Sequence, residues 1–235
     1  MNTEKLSNRL EAVTNYIPSG ARVADIGSDH AYLPCYAVKK GIASFAVAGE
    51  VVEGPYLSAK KQVKMEGLEN QISVRKGNGL EVISPNEVDC ITIAGMGGAL
   101  IASILEEGKS KLASVKRLIL QPNLSAISIR SWLIDNGWEL IAEQILEEDG
   151  KIYEILAAEK GEPLKPYQNT EKGLLMGPFL MEQKSAVFQN KWLGEKKNWE
   201  RILLQLEKAA NSSETEKRKQ ELKRKIKMAE EVLMQ

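Results

Sequence analysis

The residues best placed to do chemistry in this 235-residue chain gather around one glycine. The run Val23-Ala24-Asp25-Ile26-Gly27-Ser28-Asp29-His30-Ala31-Tyr32-Leu33-Pro34 begins as a buried strand, meets an acid, turns on Gly27 and heads into a helix. A strand, a tight glycine turn and a helix N-terminus together form a ligand pocket at the carboxyl edge of a parallel sheet. Asp25 selects the ligand, because a carboxylate beside the turn repels a phosphate bound there. The pyrophosphate pattern Gly-x-Gly-x-x-Gly is also absent, since Asp29 and His30-Ala31-Tyr32 stand where its later glycines would fall. A pocket lined by Asp25, Gly27, Ser28 and Asp29 suits a ligand with a cationic end, such as the amino group and sulfonium of S-adenosylmethionine.

Downstream residues extend the pocket. Glu50 lies 25 residues after Asp25, close to the spacing at which an acid accepts hydrogen bonds from ribose hydroxyls. Gly77-Asn78-Gly79-Leu80 follows a third strand, and the Asn78 carbonyl oxygen can accept from an adenine amino group; an ordinary Gly-Asn turn is the other reading. After a fourth strand, Ala94-Gly95-Met96-Gly97-Gly98 lets backbone approach a cofactor or base closely. It lacks the prolines and the aromatic of enzymes that methylate exocyclic amines, which disfavours that chemistry. Cys90 sits inside a strand pattern and reads as a buried structural thiol.

These residues need a scaffold. Strand patterns cover 22–26, 45–51, 72–76, 90–93 and 116–121, with 138–147 and 152–159 forming a hairpin around Glu148-Asp149-Gly150. Helical patterns cover 33–40, 55–66, 98–107 and 125–136. Strands alternating with helices predict an α/β fold with a mostly parallel sheet covered on both faces, and the hairpin predicts an antiparallel edge. Residues 1–160 therefore read as one ligand-binding domain and 161–173 as a linker. Residues 174–235 read as an α-helical coiled-coil hairpin: Phe188, Trp192, Trp199, Ile202, Leu203 and Leu206 recur at helical spacing, Asn211-Ser212-Ser213 interrupts, and Leu222, Ile226, Ala229 and Leu233 resume. Trp192 and Trp199 read as core of that pair.

Composition bounds the class. Hydrophobic residues make up 43% of the chain, enough to bury a core, and formal net charge is zero. The zero conceals a balance of +4 from Glu171 onward against −4 before it. The excess lies on Lys196, Lys197, Lys217, Arg218, Lys223 and Arg224, so an anionic macromolecule would touch mainly the tail; a solvated helical surface is the other reading. Two cysteines without metal or redox spacing, a polar N-terminus and no membrane-length apolar run predict a cytoplasmic protein that holds no metal and touches no membrane.

Taken together, residues 23–34, Glu50 through Gly54-Pro55-Tyr56, Gly77-Asn78-Gly79-Leu80, Ile93 through Gly98, Leu120-Gln121-Pro122-Asn123 and Arg9-Leu10 resemble the bacterial tRNA adenine-N1 methyltransferases that modify adenine 22 in the D arm. The resemblance covers nearly the whole chain and departs at Asn78, where an acid is commoner. It implies a Rossmann-like methyltransferase with a seven-stranded sheet, S-adenosylmethionine as methyl donor and tRNA as partner. N1 lies on the Watson–Crick edge, so the base must be unpaired or flipped. The product is cationic, and Asp29 is the candidate either to stabilise that charge or to fix the cofactor's amino-acid end. His30 either orients the turn or contacts the base; Tyr32 either stacks on the adenine or packs in the core. Asn123 either reads the base edge or serves the turn. Arg9 is a candidate for a phosphate or the cofactor carboxylate. The tail cations would bind phosphates without reading sequence. A non-catalytic module binding S-adenosylmethionine and RNA, or a methyltransferase with another substrate, is the alternative.

Overall fold

The computed structural model describes residues 2–208 and 212–234. Asn211, one of the residues expected to interrupt the two tail helices, lies outside them, as does the final residue. In chain order the elements are α1 (Asn8–Thr14), β1 (Ala21–Ile26), α2 (Tyr32–Lys39), β2 (Ala43–Glu50), α3 (Glu53–Met65), β3 (Ile72–Lys76), β4 (Cys90–Gly97), α4 (Gly98–Glu107), β5 (Arg117–Leu124), α5 (Ala126–Asp135), β6 (Trp138–Glu148), β7 (Lys151–Lys160), α6 (Thr170–Met176), α7 (Pro178–Gln183), α8 (Ala186–Glu207) and α9 (Ser213–Leu233).

The strands form one sheet in the order β3-β2-β1-β4-β5-β7-β6. β1 to β5 pair in parallel, and β7 runs antiparallel to both β5 and β6. The expected antiparallel edge is present, formed by the β6–β7 hairpin. The reversed strand is β7, inserted second from the edge, while the edge strand β6 runs with the parallel set. Asp149 and Gly150, both at positive φ, close the β6–β7 turn too tightly for any pairing but an adjacent antiparallel one. Chain order reverses between β1 and β4, and the crevice outside their carboxyl ends is where such sheets bind ligands.

Burial on both faces explains the near-continuous apolar strands. In β5, Leu118 and Leu120 enter one core with Ile101 and Leu105 of α4 and Ile129 and Trp132 of α5. Ile119, between them, enters the opposite core with Val13 of α1, Leu33 of α2 and Val63 of α3. A third cluster joins Met176, Leu180, Phe188, Trp192 and Val232 of the C-terminal helices to Ile145 of the β6–β7 hairpin. The Trp192 ring lies 6.2 Å from Phe188 and 6.0 Å from Trp199, as expected of helix core.

One polar stretch is more ordered than its composition suggests. The segment 161–173, read as a linker, already contains the first turn of α6, capped by the Asn169 side chain. Its Tyr167 is buried, and Gly173 leaves room for that ring, since a Cβ there would lie 2.5 Å from Tyr167 Cδ1.

Ile91 sits in the central strand with no exposed surface. Ile91→Ala is expected to cost about 2–5 kcal/mol and Ile91→Val about 0.5–1.5 kcal/mol, read as lowered urea midpoints at unchanged slope.

Candidate active site at the carboxyl edge of the sheet

The ends of β1 and β4 face each other across the reversal point. Asp25, in the last turn of β1, is only 4% exposed. Its two oxygens accept hydrogen bonds at 2.6 Å from Ser28 Oγ and from Thr92 Oγ1 of β4. Burial pushes the Asp25 carboxyl up to about 6, the Ser28 and Thr92 hydroxyls hold it back, and nearby Glu50 adds to the rise. Glu50, at the end of β2, is also buried and shifted upward by burial, opposed by the Asp29 N–H that it accepts. Among the described residues neither acid forms an ion pair with Lys or Arg. A cation brought by a ligand would relieve that uncompensated charge.

Gly27 (φ 71°) carries the chain past the end of β1, and a Cβ on it would sit 2.1 Å from Met96 Cε. Asp29, His30 and Ala31 then follow at φ 33°, 61° and 55°, three consecutive side-chain-bearing residues in the left-handed region. Such a run is costly and persists only where surroundings enforce it. The Asp29 N–H is held by Glu50, and His30 Nδ1 lies 2.6 Å from Ser58 Oγ of α3. His30 Nε2 lies 3.5 Å from Asp29 Oδ1, and its ring stacks on Tyr32 at 5.3 Å and 19°. Asp29 is left with its carboxylate exposed.

The opposite wall is organised by Gln121, a fully buried amide near the end of β5. Its Oε1 accepts from Gly95 N–H at 3.0 Å and from the Arg9 guanidinium. Its Nε2 donates to the Pro122 carbonyl at 2.8 Å. Asn123 is exposed and donates through Nδ2 to the Gly95 carbonyl at 2.7 Å. Gly95 (φ 81°) is thus fixed from both sides. Arg9 comes from α1, whose first N–H groups are met by the Glu148 carboxylate at the tip of β6. The Arg9 guanidinium also lies 5.3 Å from the centre of the Tyr153 ring.

These walls enclose a cavity of about 240 Å³ lined by Arg9, Leu10, Asp25, Gly27, Ser28, Asp29, Leu33, Ala94, Gly95 and Met96. A lining that holds both the Asp25 and Asp29 carboxylates and the Arg9 guanidinium offers charges of both signs to a zwitterionic amino-acid group, so the donor set fits the methionine end of S-adenosylmethionine. Asn78 and Gly79 stand apart, lining a smaller cavity of about 90 Å³ with Ile104 and Gly108. Asn78 is exposed, and its N–H donates to Glu81 Oε2 at 3.0 Å. A larger cavity of about 510 Å³ lies among the C-terminal helices, lined by residues such as Lys172 and Glu182, and holds none of the residues singled out above.

The candidate cations on the tail divide into two sets. Lys196 is paired with Glu230 at 2.8 Å and Arg224 with Glu171, whereas Lys197, Lys217, Arg218 and Lys223 are exposed. Thr92 and Ser58 are site residues that motif reading missed, and Gln121 stood inside a quoted motif without a role. Gln121 and Thr92 carry a usable signal, each being a polar residue inside an apolar strand. Cys90 is fully buried, with its thiol pushed upward by burial, as expected of a structural cysteine. Among the described residues, no group of three or more acids, histidines or cysteines is arranged to hold a metal, and no helix is long and apolar enough to cross a membrane.

Known proteins share this architecture. A family model described as tRNA (adenine(22)-N(1))-methyltransferase matches residues 23–231. The tRNA (adenine(22)-N(1))-methyltransferase of Bacillus subtilis is 53% identical over 235 residues, covering 99% of each chain. The crystal structure of the B. subtilis M1A22 tRNA methyltransferase superposes with a TM-score of 0.95 at 52% identity, covering 98% of this chain and 99% of that one. A Streptococcus pneumoniae protein solved in complex with S-adenosyl-L-methionine gives 0.87 at 46% identity, covering 97% and 100%.

Gly98, the first residue of α4, tests how tightly this edge is built, because a Cβ there would lie 2.1 Å from the Ser125 carbonyl oxygen. Neither backbone segment has a flexible end to move, so Gly98→Ala is expected to cost about 1–3 kcal/mol in urea unfolding.

Proposed function

The chain belongs to the tRNA (adenine(22)-N(1))-methyltransferase family, and on that premise we propose how its own residues perform methyl transfer to N1 of adenine 22 in tRNA. The observation that carries the assignment of roles is the buried Asp25 carboxylate, which pairs with no Lys or Arg among the described residues and lines the same cavity as Arg9. When bound, S-adenosylmethionine supplies a methyl group already activated by its sulfonium. Asp25 and Ser28 hold the amino end, Arg9 the carboxylate, Glu50 the ribose hydroxyls and Asn78 with Gly79 the adenine edge. Gly27, Gly95, Met96 and Gly97 shape the walls.

Adenine N1 has an in-plane lone pair, so no strong general base is needed. The protein has to admit an unpaired adenine, align N1 with the methyl carbon and exclude water. Positive charge moves from sulfur to the base during transfer. Asp29, with its exposed carboxylate at the cavity rim, faces that charge and stabilises it. Tyr32, braced by His30, offers a ring to the incoming base, and Asn123 stands beside Gly95 to meet the base edge.

Residues 1–160 act in this reading as the methyltransferase unit, 161–173 as the connection and 174–235 as the tRNA grip. Lys197, Lys217, Arg218 and Lys223 contact backbone phosphates, while Lys196 and Arg224 exchange a protein carboxylate for a phosphate. The target adenine lies in the D arm, and the working compartment is the cytoplasm.

Transfer of labelled methyl to unmodified tRNA transcripts tests this directly. Incorporation is expected with adenine at position 22 and none with guanine there. Cofactor binding without incorporation into any tRNA would favour the non-catalytic alternative.

A pH profile tests the role of Asp25. Its carboxyl titrates near 6 in the free protein, and a cationic ligand requires the ionised form. Affinity for S-adenosylmethionine is therefore expected to be constant above about pH 7 and to fall by up to about tenfold per unit below 6. Asp25→Asn should bind weakly with little pH dependence in calorimetry; an unchanged profile would remove Asp25 from the binding set.

A further inference from the structure

A second buried charge cluster, distant from the cavity, has no part in the chemistry above. Arg130 of α5 is fully buried. Its Nε donates to Glu143 Oε1 of β6 at 2.7 Å, one terminal nitrogen reaches Glu154 Oε2 of β7 at 2.5 Å, and the other donates to the Leu174 carbonyl of α6 at 3.3 Å. The Phe179 N–H, in the first turn of α7, donates to Glu143 Oε2 at 3.1 Å. Lys191 of α8 donates to the second oxygen of Glu154. Gly177 (φ 89°) lets the α6–α7 turn close over the cluster, since a Cβ there would lie 2.6 Å from an Arg130 nitrogen and 2.7 Å from Glu143 Oε2. Three elements of the sheet layer and three C-terminal helices thus meet around one guanidinium: β6, β7 and α6 bond it directly, α7 bonds Glu143 and α8 bonds Glu154.

Such a cluster is a poor way to gain stability, because desolvating its charges offsets most of their attraction. Apolar side chains would hold the helices on the sheet as firmly, but they tolerate sliding. The planar fork of a guanidinium with two carboxylates accepts few geometries. Arg130 also lies on the helix that directly follows β5, whose last residues, Gln121 and Asn123, fix Gly95 at the active site.

We propose that Arg130, Glu143, Glu154 and Lys191 form a joint that sets the angle of α8 and α9 against the catalytic edge, and that this angle positions tRNA for methylation. The catalytic half of the proposal rests on the reading of α8 and α9 as the tRNA grip. The joint residues are positioning residues and touch neither cofactor nor base.

The test uses the full chain. Nitroxide labels go on exposed sites, Lys61→Cys in α3 and Gln205→Cys in α8, with the native Cys35 and Cys90 buried away from reagent. Lys191→Met is expected to broaden the label-to-label distance distribution. Without labels, it is expected to lower kcat/KM for tRNA by about tenfold or more while leaving the Kd for S-adenosylmethionine unchanged. Lys191→Arg, which can still donate to Glu154, should restore both. Arg130→Lys should act in the same direction, and if it fails to fold the Lys191 pair decides. An unchanged distribution in Lys191→Met overturns the joint, and an unchanged kcat/KM overturns its role in positioning tRNA. The grip is judged separately by Lys217→Glu with Lys223→Glu. Unchanged tRNA affinity there refutes the grip and the catalytic half with it, while the distance measurement still judges the joint.

Discussion

One buried carboxylate organises the active edge of this protein. Asp25 is held from both sides by the Ser28 and Thr92 hydroxyls, and Thr92 belongs to the neighbouring strand β4. The interaction therefore locks the turn after β1 to β4 at the point where strand order reverses. Burial without a protein cation leaves the acid short of a partner. A positively charged group brought beside it would relieve that charge. Each other feature of the edge serves that geometry: Gly27 clears Met96, and Glu50 holds the strained Asp29-His30-Ala31 turn by accepting the Asp29 N–H.

The far wall depends on the β6–β7 hairpin. At its tip Glu148 receives the first N–H groups of α1, and Tyr153 supports the Arg9 guanidinium. Along its body Glu143 and Glu154 receive Arg130 and Lys191. One antiparallel ribbon thereby braces both the N-terminal helix that lines the cavity and the C-terminal helices that carry the basic surface. Its position explains how a small appendage and a short leading helix can be held rigidly against a sheet that neither belongs to.

The electrostatics of the two ends differ in kind. The cavity lining holds Asp25, Asp29 and Arg9 without an ion pair between acid and guanidinium among the described residues. The joint keeps opposite charges in contact and dry. The tail surface does neither: Lys197, Lys217, Arg218 and Lys223 stay in solvent, where each charge is weak alone.

The sequence by itself determined the strand–helix alternation, the family and its cofactor. Apolar runs with period two and helical stripes are local signals, and Asp25, Gly27, Glu50 and Gly95 recur at spacings that a βαβ unit imposes. Tertiary structure alone decided the rest. That β7 lies inside and β6 at the edge is one such feature, because a tight hairpin fixes which strands are neighbours but not which of the two lies outside. Lys196 and Arg224 acquired carboxylate partners from residues distant in sequence. Gln121 and Arg130 emerged as hubs for the same reason. A buried polar side chain is defined by the partners that surround it, and those partners come from β4, β6, β7 and α1, which only folding brings together.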